Sequence, residues 1–328
     1  MTGTTTAAPV VERTRVGWGD LAWLTWRQHR WAIVCLLGAS AAAILLALGL
    51  AWYVGATGDT SHMVGRWRFV GLGQSLMLAP VAFGLAVAVF WAAPLLSREY
   101  EQRTHLMVWS QDVSPTRWLA GKVLALGVPA VAAAAGVGLA VRTMVVSTNT
   151  AMSEYSPLRP FEMPVYETAP LLQFSYAAFG FGLGLAISAV TRRTVLSMGL
   201  TLVSFIAVRV VVSGLWRPHF QEPLRVVEPY DPTYAQSWSL VDSGALTVDS
   251  GFSDADGNEV PFPAECSDLA DNLDYTRCVQ EKNVLLFTDY HPEDRLVPFQ
   301  LFESAIFTAL AAALFALAFT WVRRARRV

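Results

Sequence analysis

Charge is what this sequence has least of. Only 15% of its 328 residues are Asp, Glu, Lys or Arg, against about a quarter in a soluble domain. The formal net charge of −2 removes the basic surplus that nucleic-acid binding requires, and no nucleic-acid partner is expected. There is no G-x-x-x-x-G-K-[ST] loop, so the chain does not bind ATP in the P-loop manner. The five histidines, at 29, 62, 105, 219 and 291, show no H-E-x-x-H or other metal-ligand spacing. No catalytic, cofactor or metal constellation emerges, and an enzyme is not expected. A hydrolytic site using His219 and His291 with nearby Asp and Ser residues is the one alternative left open.

Long uncharged runs stand in place of charge. No Asp, Glu, Lys or Arg occurs in 31–58, 69–97, 123–141, 168–191 or 304–322, and 194–216 is broken only by Arg209. A helix needs about 20 apolar residues to cross the hydrocarbon core. Six spans are therefore predicted, at 31–54, 76–96, 118–146, 171–191, 194–216 and 298–322. Their Ala, Leu, Val and Gly content does not alternate, which suits lipid-embedded helices and not barrel strands. The first run is longer than the ~7–15 residues of a signal-peptide core, although VGA at 54–56 has the form of a cleavage site. It is read as a span. The expected fold is an all-α polytopic membrane protein with a small α+β extracellular insertion between helices five and six.

Orientation follows from the short loops. Arg13, Arg15, Arg27, Arg30, Arg98, Arg103, Arg117, Lys122, Arg192, Arg193, Arg323, Arg324, Arg326 and Arg327 all fall on one side of a six-span chain. The opposite short loops hold only Arg66, Arg68, Arg142 and Arg159. Positive charge stays inside, so both termini and the 97–122 loop are expected to be cytoplasmic.

The remaining segments divide the chain further. Residues 1–16 are Thr-rich and read as a disordered tail. Residues 17–30 interleave Trp18, Trp23 and Trp26 with Arg27, His29 and Arg30, just before Trp31. They suit an interfacial elbow helix before the chain turns into the first span; an early start of that span is the simpler alternative. The outer segment 217–297 carries sixteen acidic residues against five basic ones, a net of −11. Around Asp256-Gly257-Asn258 two β-prone runs suggest a hairpin. Cys266 and Cys278 bracket a short helix, and an oxidising exterior allows them to form a disulfide. Gly180, Gly182 and Gly184 lie inside an apolar span and read as close helix packing, as do Gly136 and Gly138.

Charge inside a span is costly and usually paired or functional. Arg209 lies seven residues before Trp216, and Glu303 five residues after the start of span six. Both sit about 8–10 Å inside the outer boundary at 1.5 Å per residue. They are expected to pair, within the chain or across a dimer, with snorkelling of Arg209 to the outer headgroups as the alternative.

The loop REYEQRTHLMVWSQDVSPTRWLAGK, 98–122, resembles the cytoplasmic loop of ABC-2-type permeases, the membrane subunits of ABC exporters. There an E-x-E-x-x-T segment leads to a Ser, an Arg and a Lys at the start of the third span. The matching positions are Glu99, Glu101, Thr104, Ser114, Arg117 and Lys122. The usual Gly before the Thr is Arg103, and Pro115-Thr116 separates Ser114 from Arg117. Leu24–Arg30 (LTWRQHR) and 290–307 (YHPEDRLVPFQLFESAIF) resemble the corresponding segments of actinobacterial members.

The resemblance implies a separate ABC ATPase, in two copies, that holds the ATP and magnesium, and a second permease subunit in a homo- or heterodimer surrounded by membrane lipid. It implies ATP-driven alternating access, with export of a hydrophobic or amphipathic cargo. It also implies that the loop couples to the ATPase through a patch of Arg98, Glu99, Glu101, Arg103 and Thr104 beside Leu106, Met107 and Trp109, an apolar anchor with a polar rim. A membrane receptor or regulator with a ligand-binding outer domain is the competing reading.

Overall fold

A computed structural model describes residues 16–61, 71–109, 113–152, 158–229, 244–254, 257–267, 269 and 272–325. The expected tail therefore lies outside the described residues up to position 15, as does Asp256 of the expected turn. Among the described residues six helices are long and apolar enough to cross a membrane. They are α1 (Trp18–Thr57), α2 (Leu72–Glu101), α4 (Pro115–Ala151), α5 (Pro170–Thr191), α6 (Thr194–His219) and α9 (Leu296–Ala325). A short α3 (Thr104–Trp109) stands between α2 and α4.

The first helix departs from expectation. Residues 17–30 do not form a separate elbow: α1 runs 40 residues without a break. The physical reason is local, since no proline or left-handed residue interrupts the chain until Gly58, at φ 69°, closes the helix through its N–H to Val54 O. At the other end Asp20 Oδ2 accepts the Gly17 N–H at 2.8 Å.

α5 is the central span. Its buried residues include Gly180 and Gly184, and a Cβ at those positions would come within 2.7 Å of Gly84 O and 2.6 Å of Ala88 O. The two glycines thus let α5 lie directly on the backbone of α2, the close approach read from the sequence. Gly138 serves α4 in the same way, with Thr168 O 3.0 Å from a built Cβ. Phe181, Leu185, Trp118 and Val322 form a core at the arginine-rich end of the bundle. Phe179, Phe205, Phe299 and Phe307 form another toward the opposite end.

Three spans contain a π-helical turn: Val87–Ala92 in α2, Val123–Gly127 in α4 and Val211–Trp216 in α6. Each inserts about one extra residue into an otherwise α-helical run.

The segment between α6 and α9 holds β1 (Leu224–Pro229), β2 (Leu246–Ser253) and β3 (Leu285–His291), which form an antiparallel sheet in the order β1-β3-β2. The hairpin-like return after β2 is present as a Ser253–Glu259 bridge with Gly257 at φ 82°. Two short helices, α7 (Ala264–Ser267) and α8 (Asn272–Glu281), take the place of the single helix expected there. Cys266 and Cys278 form a disulfide across them, with Cys266 buried against Val279 and Val284.

Candidate functional site

Two sites lie at opposite ends of the bundle. At the arginine-rich end, α2 stops at Glu101 and Arg103 takes φ 55° before α3 begins. A left-handed backbone favours glycine, which gives a physical reason for the Gly that the resembling loops carry here. Ser114 caps α4, its Oγ accepting the Arg117 N–H at 3.3 Å, and Pro115 occupies the first helical turn, where its missing N–H costs nothing.

The charges of this loop are largely engaged within the chain. Glu99 pairs with Lys122, whose side chain is 2% exposed and lies 5.3 Å from the Trp118 ring. Glu101 accepts the Thr194 N–H at 2.9 Å and the Thr194 hydroxyl at 2.6 Å, so it caps the N-terminus of α6. Edge-on ring contacts run from Tyr100 through His105 and Trp109 to Trp118, at 4.7, 5.0 and 6.3 Å. Leu106 and Met107 face outward, 54% and 69% exposed. The loop thus departs from a surface patch of mixed charge: Glu99 and Glu101 hold it in place, while Arg103, Leu106 and Met107 are what it presents.

At the opposite end a buried charge cluster joins three spans and the lead-in to α5. Glu303 of α9 is fully buried and takes a fork of hydrogen bonds from Arg217, Nε to Oε2 at 2.8 Å and Nη2 to Oε1 at 3.1 Å. The Tyr176 hydroxyl of α5 donates to Glu303 Oε1 at 2.5 Å. Arg209 of α6 pairs chiefly with Glu167, and its Nη1 stands 3.7 Å from Glu303 Oε1. The guanidinium of Arg209 stacks 3.7 Å from the Tyr176 ring and that of Arg217 3.9 Å from Tyr166. Two arginines and two glutamates balance to zero.

Arg209 and Glu303, singled out in the sequence, are therefore brought into one cluster, but each has a nearer partner than the other. Glu167 and Arg217 were missed because each borders an uncharged run and resembles an ordinary loop charge. Their signal was position: Glu167 abuts the run starting at Thr168, and Arg217 the run ending at Trp216. Among the described residues no group of three or more His, Cys, Asp or Glu side chains is arranged to hold a metal ion.

Just beyond the cluster, His291 ends β3 and is packed against Phe299 at 4.7 Å. Its Nε2 lies 2.9 Å from Pro218 O and its Nδ1 3.0 Å from Arg295 Nη1. Both contacts are satisfied by the neutral ring protonated at Nε2. Burial, first, and the charges of Arg295 and His219 hold its pKa below the ordinary histidine value, against the opposing pull of the Pro218 carbonyl.

Six long apolar helices among the described residues, three of them joined by a buried, self-neutralised charge cluster, define a multi-pass membrane protein. Residues 66–217 match the family described as ABC-2 membrane transporter related. The match bears out the resemblance read from the loop and supports a membrane permease role in ABC transport. It covers α2 through the π-turn of α6 and leaves α1, the sheet and α9 outside. No curated protein matches the chain.

Proposed function

We propose that the chain is the membrane subunit of an ATP-driven exporter, with both termini and α3 on the cytoplasmic side. The observation that carries this is the α3 stub. It projects Leu106 and Met107 from a base fixed by the Glu99–Lys122 pair and the Glu101 cap on α6. An apolar anchor on a rigid base is what a docking partner can grip and move. The family match supports a separate ABC ATPase as that partner. Two ATPase copies, carrying ATP and magnesium, act on this chain and a second permease subunit by alternating access.

A groove of about 400 Å³ between α4, α5 and α9 supports an apolar or amphipathic cargo. It is lined by residues such as Val128, Val131, Phe174 and Phe315, none of them charged.

The test is co-expression of the full chain with a candidate ABC ATPase subunit that carries a P-loop. Leu106→Asp and Met107→Asp should each reduce ATPase capture about tenfold or more, since a buried interface anchor contributes at least ~1–2 kcal/mol. The melting temperature of Leu106→Asp should stay at the parent value because that position is exposed. Undiminished capture and substrate-stimulated ATP hydrolysis in both variants would sink the docking assignment. Absence of any ATPase complex with the parent chain would favour the receptor reading.

A further inference from the structure

A second cavity, of about 230 Å³, opens between α1 and the end of α2. It is lined by Gln28 and His29 of α1, Arg98 and Glu99 of α2, Gln102 just after α2, and Thr104 of α3. Its volume exceeds the ~30 Å³ share of one water several-fold. Arg98 is exposed and holds no carboxylate among the described residues, whereas neighbouring Glu99 is taken by Lys122. His29 contributes to the wall, while its Nε2 is turned away from accessible space and has no hydrogen-bond partner among the described residues. Lys122 Nζ lies 3.5 Å from Gln28 Oε1, so a second cation backs the cavity wall. Arg98 and Lys122 against Glu99 leave one net positive charge.

Depth identifies what would meet that charge. The uncharged run of α1 begins at Trp31 and that of α2 ends at Ser97. Gln28, His29 and Arg98 are therefore within about 5 Å, at 1.5 Å per residue, of the hydrocarbon boundary on both helices. This is headgroup level. Trp23, Trp26 and Trp31 are 59%, 49% and 71% exposed on α1, as expected for rings in the interface. Arg27 lies 5.3 Å from the Trp23 ring and Arg30 5.7 Å from the Trp31 ring. Leu106 and Met107, by contrast, stand beyond the turn at Arg103.

We propose that the cavity between α1 and α2 binds the phosphate of an anionic phospholipid, with Arg98 as its principal ligand. A basic pocket between spans at the headgroup level is suited to such a lipid. The planar guanidinium can give the phosphate two parallel hydrogen bonds. The site stands without any ATPase; only the choice of the anionic inner leaflet rests on the proposed orientation.

The experiment is a melting-temperature titration of the full chain in non-ionic detergent, with phosphatidylglycerol, phosphatidylcholine or inorganic phosphate added. Phosphatidylglycerol should raise the melting temperature saturably and phosphatidylcholine should not. Arg98→Gln should weaken the half-maximal effect about tenfold, the loss expected for one charged hydrogen-bonding partner. Arg98→Lys should retain part of it, and Arg324→Gln, outside the cavity, all of it. An equal response to phosphatidylcholine, an equal response to inorganic phosphate, or an unchanged titration in Arg98→Gln would each overturn the site. Loss of ATPase capture in Arg98→Gln with an unchanged lipid titration would also overturn it, and would give the cavity to the ATPase.

Discussion

Replacing Glu303 by Gln puts the buried cluster under direct test. The parent carboxylate accepts from Arg217 Nε, Arg217 Nη2 and Tyr176 OH, and faces Arg209 Nη1 at 3.7 Å. The amide keeps the shape but removes one negative charge, leaving two guanidinium groups against Glu167 alone. Its NH₂ group also turns a donor toward donors. Breaking a buried pair by neutralising one partner costs about 3–5 kcal/mol, because the other charge stays buried and uncompensated. Glu303→Gln should therefore fall near that range. The double variant Glu303→Met with Arg217→Met should recover a large part of the loss, since an apolar pair leaves no orphan charge. Equilibrium unfolding in mixed micelles measures both. Asp289→Asn is the control: its partner Arg225 is exposed and water screens the pair, so its effect should be small. A Glu303→Gln loss no larger than that of Asp289→Asn would refute the reasoning, as would a double variant less stable than Glu303→Gln.

Two further outcomes follow from local geometry. Arg103→Gly relieves a left-handed backbone and should raise the melting temperature, a gain of up to about 1 kcal/mol set against glycine's greater unfolded-state freedom; a loss of stability would mean that the arginine side chain itself holds the turn. For His291 the folded pKa is depressed below the unfolded value near 6.5, so the unfolded chain binds the extra proton first and stability drops as pH falls below ~6.5. Melting between about pH 8 and about pH 5 should be steeper for the parent than for His291→Asn, and identical slopes would remove His291 from the account.

The spans were legible because hydrocarbon tolerates so little charge that its boundaries are written in Arg, Asp and Glu. Arg209 and Glu303 stood out for the same reason. Glu167 and Arg217 did not, since a charge at the edge of an uncharged run looks the same whether it meets water or folds back into the bundle. The loop at 98–122 shows a different limit. Its motif could be recognised as a string, but the string does not say that Glu101 reaches across to Thr194 or that Glu99 meets Lys122, contacts 93 and 23 positions apart. Those depend on how α2, α4 and α6 come together, which composition does not encode. The continuous α1 was obscured by aromatic and basic residues that suit an interface whether or not the helix bends there.

The π-turn of α6 has a consequence for angular phase. Arg209 and Arg217 are eight residues apart. On a regular α-helix, at about 100° per residue, that spacing would place them roughly 80° apart around the axis. The extra residue accommodated at Val211–Trp216 makes eight positions behave like seven, and seven return within about 20° of the starting direction. Two guanidinium groups that a straight cylinder would splay are thus brought onto one meridian, where a single carboxylate of α9 can meet both.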